Sequence, residues 1–197
     1  MYSLLKNAPS HQTYLDGSIT FIIPSLGRPT LQLTLNSLKM QTDTNWKAIV
    51  VFDGVSPNIS NSDPRVAFIS IPKKGLAGLV RNEGIRMATT EWVGFVDDDD
   101  VLTSDYVEHF NREKQNMDVV IFRMKTPENI IYPPVDHTDF HQNYVGISFC
   151  MRTSLSKQEN MWFTSHKVYE DFVLLDSLRS AGKSISISKH VTYLIRL

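Results

Sequence analysis

Along the first half of the chain, short runs of apolar and β-branched residues alternate with segments of helical period. Residues 19–23, 46–52, 66–71 and 92–96 read as buried strands. The first is expected to stop at Pro24, which has no N–H to give a ladder. After Pro29, a favourable first-turn proline, Leu31, Leu35, Leu38 and Met40 recur at near-helical spacing. Residues 76–88 read as a second helix with Leu79, Ile85 and Met87 turned to the core. Between the second and third strands, residues 55–64 are dense in Ser, Asn, Pro and Asp and mark a loop.

The second half is less regular. Ser104 or Asp105 caps a helix running to about residue 114, and 119–122 is a strand. Residues 125–143, polar and rich in proline, read as a long loop, and 144–151 as a strand. A helix over 167–181 places Val168, Phe172, Leu175 and Leu178 on one face and closes at Gly182. Strands at 185–187 and 191–195 finish the fold, and residues 1–17 form a polar lead-in without pattern. Strand–helix alternation predicts a mainly parallel sheet with right-handed crossovers in the first half and a mixed second half.

Composition narrows the classes. At 197 residues the chain suits one domain with a real core. Twenty basic residues balance twenty-one acidic ones, which argues against a nucleic-acid partner or a polybasic membrane patch. The single cysteine, Cys150, excludes an internal disulfide. No apolar stretch has the length of a transmembrane span, and the first six residues lack a signal-peptide core, so the expectation is a soluble, cytoplasmic protein, with a peripheral membrane association left open.

The candidate chemistry gathers where strands end. Four consecutive aspartates, Asp97–Asp100, follow the apolar run 92–96. Like charges this close repel, and a folded chain tolerates them best around a cation or strong donors; a solvated acidic turn is the alternative. In a parallel sheet the ends at residues 24–28, 53–54 and 97–100 share one edge, where open α/β sheets bind ligands. The segment Gly78–Gly84 lies on the helix feeding the aspartate strand. Asp97 and Asp99, two apart, would face one side of an extended segment.

These segments, in this order, resemble the family 2 glycosyltransferases of the GT-A fold. The resemblance rests on Ile22-Ile-Pro-Ser-Leu-Gly-Arg-Pro29, Val51-Phe-Asp-Gly54, Val80-Arg-Asn-Glu-Gly-Ile85, Val96-Asp-Asp-Asp-Asp-Val-Leu102 and Tyr169-Glu-Asp-Phe172 with Arg179 and Gly182. It covers roughly residues 19–182 and implies a Rossmann-like, mainly parallel central sheet flanked by helices. By the same resemblance, Asp97 and Asp99 match the D-x-D motif and would hold Mn²⁺ or Mg²⁺ together with the donor's diphosphate, with Asp97 also touching the donor. Asp98 would meet the ribose and Asp53 the base, as its counterpart does with uracil, which favours UDP over GDP. Pro24, Ser25 and Arg28 lie beside the nucleotide in the matched region. Lys73 and Lys74 are candidates for base or phosphate contact or are surface lysines. Arg81 either supports the aspartates and nucleotide or anchors an ion pair.

Asp171 is the expected general base. Deprotonating an acceptor hydroxyl as it attacks the anomeric carbon lowers the barrier, and a single displacement inverts the configuration. The alternative is that Glu170 and Asp171 merely suit a helix start. Trp162, Phe163 and Tyr169 either stack on an acceptor sugar or are ordinary packing. His137, His141, His166 and His190 show no close zinc-ligand spacing, although His190 could be the late histidine that completes the metal shell in some GT-A enzymes.

Rivals fail on particular residues. An EF-hand begun at Asp97 needs an oxygen ligand at Val101 and glycine at Leu102. A sugar nucleotidyltransferase needs a glycine-rich phosphate loop, which residues 24–28 do not make. A two-metal nuclease is at odds with the balanced charge. The expectation is therefore one GT-A domain over 1–197, with residues 1–102 as nucleotide-binding half and 103–197 as acceptor-side half. It would transfer a sugar from a nucleotide-sugar to a glycan or other hydroxyl acceptor; the alternative is a catalytically silent nucleotide- or sugar-binding domain. The short stretch after Asp171 suggests a small acceptor or help from a partner.

Overall fold

Phe21, Ile22 and Ile23 have no exposed surface in the computed structural model, although successive strand residues point to opposite faces. Strand β1 (Leu15–Ser25) is thus covered on both sides, the condition under which a strand reads as an unbroken apolar run. The structure describes residues 15–196. The reading of residues 1–14 as a lead-in lies outside them, whereas 15–17 belong to β1.

Helix α1 (Leu31–Lys39) leads to β2 (Trp46–Asp53), β3 (Val66–Ile71), α2 (Ala77–Met87) and β4 (Thr90–Phe95). The short β5 (Val101–Leu102) precedes α3 (Tyr106–Glu113), β6 (Val119–Lys125) and β7 (Ile131–Tyr132). Then come β8 (Phe149–Arg152), α4 (Thr153–Lys157), α5 (Glu170–Ser180) and β9 (Ile185–Leu194). One sheet runs β3-β2-β1-β4-β8-β6-β9-β5, with β7 on β6. β3, β2, β1 and β4 are mutually parallel; β8 is antiparallel to both β4 and β6, and β9 is parallel to β6. The mainly parallel first half and mixed second half are as the pattern predicts.

Several boundaries differ for physical reasons. β1 continues through Pro24, paired with Val51 of β2, because pairing with β4 has already ended at Ile22 and no ladder on that side needs the missing N–H. Met40 and Met87 close their helices exposed, and α2 buries the expected Ile85 together with Gly78, Val80, Arg81, Asn82 and Gly84. The strand expected at 144–151 is confined to β8, and the five residues of α4 are too few to show a period. α5 begins three residues later than the pattern suggests, leaving Val168 exposed outside it. Its end is a Schellman motif: Gly182 at φ +73° donates to the Arg179 carbonyl and Lys183 N–H to that of Leu178. Among the described residues no helix is long and apolar enough to cross a membrane.

α2 packs on β1 and β2, and Gly84 sets how closely. A Cβ there would stand 2.4 Å from Ile22 Cγ2 and 3.2 Å from Val51 Cγ2, in fully buried surroundings. Alanine gains about 1 kcal/mol of helix propensity, but overpacking costs roughly 1–3 kcal/mol and this contact belongs at the upper end. Gly84→Ala is expected to lower stability by about 1–2 kcal/mol, read as a lower urea midpoint at unchanged m-value. An unchanged midpoint would show that the helix shifts freely, and with it Arg81, one turn earlier.

Candidate active site

β1, β2 and β4 end at the same edge, and their last residues meet in a cleft of about 400 Å³. Its walls include Pro24, Ser25, Arg28, Asp53, Lys73 and Asp97–Asp99. A second cleft of about 330 Å³ is lined by Arg81, Asp97, Asp99, Asp100, Met124, Glu170 and Asp171, among others. Asp97 and Asp99 belong to both.

The four aspartates do different things. Asp98 and Asp100 are buried and tie the turn to its neighbours, although Asp98 also lines the first cleft. Asp98 Oδ2 accepts from Ser25 Oγ at 2.7 Å and from the Leu26 N–H at 3.3 Å, tying the aspartate turn to the end of β1. Burial pushes its carboxyl above the usual range, against the hydrogen bond from Ser25 and the charge of Arg28. Asp100 accepts from Tyr193 Oη at 2.8 Å and from the Arg196 N–H at 2.9 Å; burial pushes it up to about 6. Tyr193 Oη also accepts the Asp97 N–H at 3.1 Å, and Thr34 Oγ1 of α1 donates to the Asp100 carbonyl at 2.6 Å. β9 and α1 thus hold the turn from two sides.

Asp97 and Asp99 face the clefts, and each carries an arginine. Arg81 Nη2 lies 2.6 Å from Asp97 Oδ1, and Arg28 Nη1 lies 2.5 Å from Asp99 Oδ2. Arg28 is half exposed, whereas Arg81 is buried and also reaches Glu170 Oε1 at 3.0 Å. Burial works against the Arg81 charge, and the two carboxylates outweigh it, holding the guanidinium above its usual range. Arg81 is therefore an ion-pair anchor, bridging the aspartate turn to the start of α5.

Asp171 follows Glu170 at that start. Its Oδ1 accepts the Phe172 N–H at 2.7 Å. Burial pushes its carboxyl above the usual range, with the Glu170 charge adding to the effect and Arg81 opposing it. Gly146 permits the approach of the neighbouring loop: a Cβ there would lie 3.7 Å from Asp171 Oδ2 and 2.7 Å from Met124 Cε.

Four candidate positions have contacts that the sequence does not foretell. Asp53 lines the first cleft but already accepts two backbone N–H groups, Lys74 at 2.5 Å and Gly75 at 2.9 Å, so it fixes the β3–α2 turn as well. The Lys74 ammonium turns away to Glu83 at 3.0 Å, and Lys73 lines the cleft in its place. His190 lines neither cleft; it stacks on His109 of α3. Phe163 packs in the core rather than offering a sugar platform. Tyr193 is a support that the sequence pattern does not single out, since it shows only strand alternation; Glu170 falls in a matched segment, but its pairing with Arg81 is not legible there.

Two carboxylates at one cleft edge suit a hard divalent cation that takes its remaining oxygens from a ligand. No third acidic group joins Asp97 and Asp99 in a close ligand cluster among the described residues. Asp97 and Asp99 would thus fit Mn²⁺ or Mg²⁺ only as part of its oxygen shell.

The model of the family described as glycosyl transferase family 2 matches residues 20–168, a span that contains every position above except the α5 start, β9 and the residues after it. EpsH of Bacillus subtilis (strain 168) is 38% identical over 89 residues, covering 42% of this chain and 26% of its own length. The chain thus spans about a quarter of that relative. The crystal structure of S. aureus TarS 1-349 is similar at a TM-score of 0.70 and 19% identity, over 90% of this chain and 60% of that one. The mannosyltransferase PcManGT from Pyrobaculum calidifontis, in complex with GDP-Man and Mn²⁺, is similar at a TM-score of 0.68 and 14% identity, over 89% and 56%. The fold class expected from the sequence is the one these structures share.

Proposed function

Because the chain belongs to glycosyl transferase family 2, we propose that it is a metal-dependent, inverting glycosyltransferase that moves a sugar from a UDP-sugar to an acceptor hydroxyl. The observation that carries this reading is the pair of clefts sharing Asp97 and Asp99, one ending at Asp53 and the other at Asp171. The first cleft is built wholly from residues 24–99 and the second draws on residues 124–195, which supports a donor half over 1–102 and an acceptor half over 103–197 within one domain.

In this reading the nucleoside lies along Pro24, Ser25 and Asp53, with its diphosphate toward Asp97 and Asp99. A divalent cation held there supplies charge neutralisation for the departing nucleoside diphosphate. Arg28, half exposed beside Asp99, swings from the carboxylate to a phosphate oxygen at little cost. Lys73 adds a second positive charge at the cleft wall. Asp98 Oδ2 holds the loop, and its Oδ1, 3.6 Å from Arg28 Nη1, turns to a ribose hydroxyl when Arg28 moves to the phosphate. Asp171, on the far side of the shared carboxylates, accepts the acceptor proton as the hydroxyl attacks. Displacement from the face opposite the leaving group inverts the anomeric centre.

The neighbours differ in nucleotide. S. aureus TarS 1-349 was solved with UDP and with UDP-GlcNAc, PcManGT with GDP-Man. UDP is the proposed nucleotide because Asp53 stands at the position that, by the family resemblance, meets uracil. Each of its oxygens has a lone pair beyond the one used by the loop. Guanine also presents an N–H edge, so the comparison with GDP is part of the test. Calorimetric titration of UDP and GDP, with Mn²⁺ or with EDTA, into the wild-type chain and Asp99→Ala tests it. The expected result is UDP binding that needs both Mn²⁺ and Asp99 and falls at least ~10-fold without either. Tighter GDP binding would move the donor to GDP-sugars. No nucleotide binding under any condition would overturn the enzyme reading in favour of a silent domain.

A further inference from the structure

Away from both clefts, α3 packs against β9 and brings together three side chains far apart in sequence. His109 and Glu113 stand four apart on α3 and so share one helix face. His190 comes from β9. One ligand atom from each lies within 4.8 Å of the other two, and all three residues are partly exposed. The two imidazoles stack with centroids 3.5 Å apart.

Their surroundings are arranged as supports. Asp105 Oδ2 lies 3.2 Å from His109 Nε2, one turn earlier on the same side. A carboxylate on one ring nitrogen fixes the tautomer and leaves the other nitrogen with its lone pair. That other atom, His109 Nδ1, is buried without a hydrogen-bond partner. A buried acceptor without a partner calls for a water or an ion. Glu113 Oε1 accepts from Ser188 Oγ at 2.9 Å and lies 3.7 Å from His190 Nε2; Ser188 Oγ in turn accepts the His190 N–H at 3.0 Å.

We propose that His109, Glu113 and His190 bind a transition-metal ion of the zinc class, at a site separate from the hard-cation seat of Asp97 and Asp99. Two imidazoles and one carboxylate form a three-ligand set suited to Zn²⁺, with water in the fourth position, and unsuited to Mg²⁺. Because the two rings are stacked, binding requires the His190 ring to rotate out of the stack so that both lone pairs meet one ion. The ion ties β9 to α3. β9 continues to Tyr193, which holds Asp97 and Asp100, and α3 starts shortly after Asp100, so the bond closes a bracket around the aspartate turn.

The test titrates Co²⁺ as a visible probe into the untagged full chain carrying Asp99→Ala, with millimolar Mg²⁺ present to fill oxygen sites. The expected result is one Co²⁺ per chain with a visible ligand-field band, displaced by Zn²⁺. Asp105→Asn should weaken the affinity by about 10–100-fold. Glu113→Gln and His190→Ala should each lose the band. Glu113→Gln keeps the side chain's shape and its bond from Ser188, and decides the matter by itself if His190→Ala does not fold. No band in the Asp99→Ala chain, or a band that survives Glu113→Gln, would overturn the site.

Discussion

Asp171→Asn is expected to lower kcat by about 10²–10⁴-fold while UDP affinity in the presence of Mn²⁺ stays within a factor of about 3. The substitution is nearly isosteric, and the asparagine carbonyl can still accept the Phe172 N–H that Asp171 Oδ1 accepts now. Helix α5 should therefore keep its start, and the lost quantity is the proton acceptor. The base works ionised, and burial raises the pH at which Asp171 gives up its proton. In the wild type kcat should fall as the pH drops through that raised value, above where an unperturbed aspartate titrates. The same acid limb should vanish from the residual activity of the variant. A variant with wild-type kcat would remove Asp171 from the chemistry and leave it as a helix-start residue.

What could be read in advance follows from the range of the interaction involved. The strands that carry the site are continuous apolar runs because they are covered on both faces, so β1, β2 and β4 stand out in the sequence and their polar ends with them. The separation of Asp97 and Asp99 from Asp98 and Asp100 matches the alternation expected of an extended segment, although the backbone there is a turn and the contacts with Ser25, Tyr193 and the two arginines set it. The sequence does not separate Lys73 from Lys74: the first lines the cleft, and the second turns to Glu83. Nothing local announces that Tyr193 supports Asp100, or that His190 meets His109, since each pair is joined only by the arrival of β9. The loop before β8 was legible as a loop, but its course was not, nor was β7 within it, because contacts with Arg123 of β6 and Arg179 of α5 place its residues.

Arg81→Met is expected to cost about 2–4 kcal/mol of stability, seen as a fall in Tm of roughly 5–15 °C. Arg81 is 3% exposed in its side chain and touches Asp97 and Glu170 at once. Removing one partner of a buried ion pair typically costs about 3–5 kcal/mol, because the remaining charge is left without compensation. Here the partners retain some solvent, Asp97 at 36% and Glu170 at 20%, which moves the figure toward the lower end of that range and below it. The same change leaves Asp97 beside three more aspartates, with Arg28 as the remaining arginine paired to the run. A divalent cation at Asp97 and Asp99 then relieves more repulsion in the variant than in the wild type. Mn²⁺ should therefore raise the Tm of Arg81→Met by more than that of the parent chain, while Arg81→Met with Asp99→Ala should lose this extra gain. Equal Mn²⁺ shifts in parent and variant would show that the cation does not meet Asp97. An unchanged Tm would show that the bridge from the aspartate turn to α5 does not hold the site together.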